Sequence, residues 1–219
     1  MLKRLLLLAT AFAFVPVSVH ANIVSLTDLT QITAPPFVDG AFLEKLGLPA
    51  HSIFAERQGV VLPTAITTDT SIIPAGTIVD SYFVAFNQFN VGPAPTDASA
   101  TFDTPVLGVI FADLVSGFPG PAFAQTNFLG AIGTDYSGSL CFQCGYEFLP
   151  GTPGYTADQA FMAANLASFH VTFSEPGDFA RVLVQGAQPV PGPIVGAGIP
   201  GLVMAFLGWL GWRRMSKKS

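Results

Sequence analysis

Residues Phe169-His170-Val171-Thr172-Phe173-Ser174 alternate apolar with polar side chains, and Pro176-Gly177-Asp178 then leads into the apolar run Ala180-Arg181-Val182-Leu183-Val184-Gln185. A period of two places Phe169, Val171 and Phe173 on one face of a strand and His170, Thr172 and Ser174 on the other. Pro presets φ, Gly relieves the backbone and Asp bonds its own chain, so the Pro-Gly-Asp tripeptide is a turn. The two runs are therefore predicted to pair as a hairpin with a loop.

Upstream the same punctuation recurs. Pro63, Pro74 to Gly76, Gly92 to Pro95, Pro105, Gly117 to Pro121 and Gly151 to Gly154 bracket apolar runs of strand length. Thr77 to Phe89 and Val106 to Ala112 carry so many Val, Ile and Phe residues that both faces of each should be buried. Between Thr156 and Leu166 the local signals compete. Thr156 and Gln159 fit a helical capping box, whereas Asn165 ahead of a strand suits a hairpin, and the strand reading is preferred. Phe42 to Leu46 is expected to form a short helix closed by Gly47. Many short strands with turns at this spacing predict a mainly β fold, an antiparallel β-sandwich of jelly-roll type.

Charge divides the 219 residues into three parts. All 14 acids lie between Asp28 and Asp178, with Lys45, Arg57 and Arg181 as the bases of that middle region, a balance of −11. The other six bases are Lys3 and Arg4 at the start and Arg213, Arg214, Lys217 and Lys218 at the end. The chain is 50% hydrophobic and 11% charged, against about 25% charged in an average domain. Such apolar content excludes a disordered tail, and an overall charge of −5 argues against nucleic acid as a partner.

The N-terminus reads as a secretory signal peptide over residues 1–21. Lys3 and Arg4 precede an apolar run from Leu5 to Val17, and Val19 and Ala21 occupy the positions where signal peptidase needs small or apolar side chains. Cleavage is predicted between Ala21 and Asn22. Residues 22–188 are then an exported ectodomain. At the other end residues 194–212 form an uncharged stretch of spanning length, with Trp209 and Trp212 at its edge and the basic tail 213–219 behind it. One C-terminal transmembrane helix is expected there, with its basic end on the cytoplasmic side.

The tail as a whole, residues 189–219, resembles the PEP-CTERM class of sorting signals. It runs from Val190-Pro191-Gly192-Pro193 through the apolar stretch to an Arg cluster, with Gly192 where the class usually has Glu. The resemblance implies an exosortase-like enzyme acting near Pro191, Gly192 and Pro193, followed by release or re-anchoring. It also implies company with exopolysaccharide and biofilm systems. Segments Phe102 to Ile110, Leu129 to Tyr136 and Pro176 to Leu183 resemble exported bacterial proteins that carry such tails, which implies a secreted β-rich domain and no set activity.

Chemistry-bearing motifs are few. Cys141 and Cys144 are the two cysteines, and in an exported chain they read as a disulfide closing a small ring; redox-active thiols and a metal site are the other uses of that spacing. Zinc would need further ligands from His51 and His170. Asp97, Asp103, Asp113 and Asp135 flank turns, where oxygen ligands would hold Ca²⁺, although solubility and turn formation also account for them. No other cofactor is expected. Glu56, Glu147 and Glu175 are the acids a glycosidase would use, but no spacing unites two of them. Tyr82, Tyr136 and Tyr155 are aromatics that would stack on sugars if exposed, although core packing is the use preferred for them. The expected function is a non-catalytic cell-surface or matrix protein, membrane-anchored or released, with polysaccharide or matrix partners. The alternatives are a small secreted hydrolase and an uncut, single-span binding protein.

Overall fold

The computed structural model describes residues 20–39, 42–86, 95–111, 125–138, 159–172, 178–187 and 206. Every strand lies in the compact unit Val19–Ala187; of the second unit, Met1–Ser18 with Gln188–Ser219, Phe206 alone is described. In chain order the elements are β1 (Ile23–Thr27), β2 (Thr30–Gln31), β3 (Phe37–Asp39), α1 (Phe42–Lys45), β4 (His51–Ala55), β5 (Val60–Val61), β6 (Ile66–Thr67) and β7 (Ile72–Ile73). They continue with β8 (Ile78–Phe86), β9 (Pro95–Phe102), β10 (Val106–Phe111), β11 (Asp135–Gly138), β12 (Gln159–Ala163), β13 (Leu166–Thr172) and β14 (Asp178–Gln185).

Two sheets carry the fold. The first has four antiparallel strands in the order β1-β9-β13-β12. The second runs β10-β14-β8-β4-β2, with β5 also paired to β8; only its β2–β4 edge is parallel. Their facing sides share one apolar core, with Ala98, Ala100, Phe102, Ala167, Phe169 and Val171 from the first sheet against Tyr82, Val84, Phe86, Val109, Val182 and Val184 from the second. Rings set the spacing inside it. Tyr82 meets Phe102 at 4.9 Å and Phe86 meets Phe169 at 5.5 Å, both tilted as the ring quadrupole favours.

Among the described residues, the central strands of the second sheet are covered on both faces. Its other side packs Phe54, Phe83, Ala85, Ile110, Phe179 and Leu183 against Val38, Phe42, Leu43, Leu62 and Leu129. Thus β8 and β14 are buried along almost their whole length, as their unbroken apolar sequences require. The short helix α1 supplies Phe42 and Leu43 to this second core. Gly47 closes it at φ +63, a left-handed turn that suits glycine, and Leu48 N–H bonds back to Leu43 O at 2.7 Å.

The structure bears out the two apolar runs as β8 and β10 and, within the contested region, shows Gln159–Ala163 as strand. Residues β12 and β13 form a tight hairpin with Ala163 opposite Leu166, and Ala164 at φ +47 takes the turn. One expectation is corrected. β13 and β14 do not pair with each other: β13 lies between β9 and β12, and β14 lies between β10 and β8. The reason is burial. β13 has a polar face and belongs in the sheet with one open side, whereas β14 would strand an apolar face in water there. The chain therefore crosses between the sheets. Among the described residues no helix is long and apolar enough to span a membrane, and apart from Phe206 the 194–212 stretch lies outside them.

A buried ion pair ties the second core together. Arg181 of β14 donates from Nε to Glu56 Oε2 at 2.6 Å and from an outer nitrogen to Glu56 Oε1 at 2.8 Å, with both side chains fully buried. Ser81 donates to Glu56 at 2.5 Å, and Arg181 also donates to Thr126 at 2.7 Å. Replacing Arg181 with Met leaves Glu56 buried without its cation, so Arg181→Met should lose about 3–5 kcal/mol in urea unfolding. The double variant with Glu56→Leu should recover much of that loss. A single variant as stable as the wild type would show that the pair carries little.

Candidate functional site

Among the described residues, the outer face of the four-stranded sheet is a broad strand surface left to solvent. Register sets its rows. Thr27, Ser99, Ser168 and Phe161 run across one row, and Asp97, His170 and Gln159 across the next. Small hydroxyl residues face outward because the inward positions of the same strands, Ala98, Ala100, Ala167 and Phe169, are committed to the core. A shallow groove of about 300 Å³ lies over these rows, bounded by Thr27, Asp97, Ser99, Phe161, Ser168 and His170.

Two features mark the groove. Phe161 is 59% exposed on edge strand β12, directly across from Ser168. Beside it His170 Nδ1 and Asp97 Oδ1 stand 2.7 Å apart, on neighbouring strands, with Asp97 largely in water. Among the described residues the His170 ring bonds Asp97 rather than Ser99 or Ser168, so no nucleophile is engaged. The groove thus offers an apolar ring, a ring nitrogen, a carboxylate and several hydroxyls on one plane. That set suits a ligand with one apolar face and many hydroxyl groups.

The remaining expected residues fall elsewhere. Asp103 follows β9 and holds Asn22; Asp135 begins β11, beside β3; Asp97 faces His170. These three are not gathered, and among the described residues no three His, Cys, Asp or Glu side chains cluster as a metal would need. Asp113, Cys141, Cys144, Glu147, Tyr155, Glu175, Pro191, Gly192 and Pro193 lie outside the described residues. His51 sits on β4 against the Phe86 ring and 3.1 Å from Asp28, far in sequence register from His170. Ala21 is buried and Asn22 exposed at the start of β1.

Tyr82 and Tyr136 serve core packing rather than as exposed platforms. Tyr82 is 3% exposed and donates to Ala21 O, while Tyr136 is half-buried between Phe83 and the Arg181 guanidinium. Both stand in strands whose inward positions needed large rings. The ring exposed on this sheet face is Phe161, unmarked in the sequence because its segment carries mixed helix and strand signals; the alternation Gln159-Ala160-Phe161-Met162 was the available clue. Comparison with protein families, with curated proteins and with solved structures finds no match for this chain.

Burial, and then the negative charges of Asp80 and Asp103, push the Tyr82 hydroxyl up to about 12. Burial, and then Glu56, push Tyr136 higher still. A raised acid pKa means the folded state holds its proton more firmly. The associated stability is present below the unfolded value of about 10 and is lost as pH climbs from there towards 12. The tyrosinate absorbance difference between wild type and Tyr82→Phe should accordingly rise near pH 12; a rise near 10 would place Tyr82 in water.

Proposed function

We propose that this chain is an exported, non-catalytic cell-surface or matrix protein whose β-domain binds polysaccharide on the outer face of its four-stranded sheet. The observation that carries the binding role is the exposed Phe161 ring set in register with Ser168 and Ser99, beside the His170–Asp97 pair. A pyranose presents C–H groups on one face and hydroxyls around its rim. Phe161 would take that face, while Asp97, His170 and the serines exchange hydrogen bonds with the rim.

The export half of the reading rests on sequence. The basic n-region and apolar run before Ala21 supply a leader, and the Pro191-Gly192-Pro193 segment with its apolar stretch and basic end supplies a tail like PEP-CTERM signals. Signal peptidase, an exosortase-like enzyme and the membrane are the partners this implies. The two packed sheets fit a jelly-roll-like sandwich, a fold that displays such a face without a deep cleft. The hydrolase alternative has a His–Asp pair, but among the described residues no hydroxyl is engaged by it, which favours binding without turnover.

Affinity electrophoresis through gels containing purified exopolysaccharides tests this directly. Wild type should be retarded by at least one of them, Phe161→Ala should bind about tenfold more weakly, a change of about 1.4 kcal/mol, and no reducing ends should be released. Absence of retardation across a broad glycan panel would sink the binding role. Release of reducing ends that stops on His170→Ala would replace it with the hydrolase.

A further inference from the structure

The export reading places a cut after Ala21, and the structure describes both sides of that bond. Asn22 N–H donates to Asp103 Oδ1 at 2.7 Å, and its side-chain amide donates to Asp103 Oδ2 at 2.9 Å. Asp103 N–H returns a bond to Asn22 O at 3.0 Å. All three contacts lie on the Asn22 side of the bond and survive loss of everything before it. On the other side Ala21 is buried, donates its N–H to Asp80 Oδ2 at 2.6 Å and accepts from the Tyr82 hydroxyl. Asp80 also accepts from Gly59 N–H at 2.5 Å and faces the His20 ring at 3.8 Å.

Two carboxylates thus wait at consecutive backbone nitrogens. A cut before Ala21 would deliver the new amino group to Asp80; a cut after it would deliver the amino group to Asp103. Leader cleavage needs a small residue just before the cut, which Ala21 is and His20 is not. We propose that Asp103 is the receptor for the mature amino terminus. This rests on the export reading above. Water hydrolyses the Ala21–Asn22 amide, leaving a carboxylate on Ala21 and an amine on Asn22 that takes up a proton. The resulting ammonium stays at Asp103 and turns an amide-to-carboxylate hydrogen bond into an ion pair that pins β1 to the end of β9. The cut comes before β1 docks, because in the folded uncut chain both backbone polar groups of Ala21 are engaged in the interior. His20 leaves with the leader, so the ionisable neighbours of the new terminus are Asp103, Asp80 and the Tyr82 hydroxyl.

The Asp103 carboxyl is already held below its ordinary 3.8, first by the Asn22 backbone N–H and then by the Asn22 amide. Pairing would in turn raise the α-amine above its usual value of about 7.7–8.0. Carboxylate stability is present above 3.8 and is lost as pH falls through the lowered value. Ammonium stability is present below about 8 and is lost as pH rises through the raised value. The pair should therefore matter most between about pH 4 and 8.

The test uses protein recovered from exporting cells. Mass and terminal sequencing should show Asn22 first, and titration of its α-amine by pH-dependent acylation should give a value above the usual one, returning to ordinary in Asp103→Asn. The wild-type titration stands even if that variant fails to fold. Asn22 first with an ordinary α-amine overturns the proposal and leaves export intact. Ala21 first overturns it in favour of Asp80. A chain still beginning at Met1 removes the export reading and the proposal together.

Discussion

The Arg181–Glu56 pair is the constraint around which the second core is arranged. A guanidinium buried among Phe179, Phe83 and Tyr136 is tolerable only if its donors are filled, and Glu56 and Thr126 take them from separate parts of the chain. Glu56 is held in place by its own backbone, whose N–H bonds Ser81 O at 2.8 Å, while Arg57 N–H reaches Leu129 O at 3.0 Å. The end of β4, the middle of β8, the centre of β14 and the 126–130 segment are thereby fixed to one another. An all-apolar core would bind as tightly with less register, since rings slide past one another at small cost. A bidentate fork accepts one alignment.

That alignment explains why β8 and β14 are neighbours. Arg181 stands opposite Phe83 and Leu183 opposite Ser81, so the polar pair of this face, Arg181 and Ser81, lies diagonally across the two strands with Glu56 above both. The opposite face of the same strands then delivers Tyr82, Val84, Val182 and Val184 to the first core. The strand between two cores gains on both sides, and the four-stranded sheet is left with one face wet. An exposed polar face is a consequence of the strand order rather than a separate feature, and the candidate groove inherits its position from it.

Strands were legible wherever composition alone set them. The runs at Ile78–Phe86 and Val106–Phe111 hold β-branched and aromatic residues without a break, and Gly47 closes α1 where the sequence places its stop. Pairing was less legible. Pro176-Gly177-Asp178 has turn chemistry, yet a turn fixes the direction of the chain and not its partner. What decides the partner is that every residue from Asp178 to Val184 is buried, including Arg181, whose charge disguises a two-sided interior strand as a one-sided one. The groove was legible only at His170. Phe161 and Asp97 join it through register, across 73 residues in the case of Asp97 and His170, and no local pattern reports a contact of that span.

The two ends of β1 connect the groove to the Ala21–Asn22 bond. The strand is short and weakly buried, with its register shifted between Ile23 and Ser25, so apolar packing alone holds it loosely. Its last residue, Thr27, forms one wall of the groove opposite Ser99, and its approach is set by the Asn22–Asp103 contacts five residues earlier. An edge strand with one neighbour needs such a pin, because β9 is all that it pairs with. If the ammonium freed by cleavage strengthens that pin, the groove wall is held more firmly in the exported, cut chain. A carboxylate that meets the new terminus would then couple where the protein is to what it can hold.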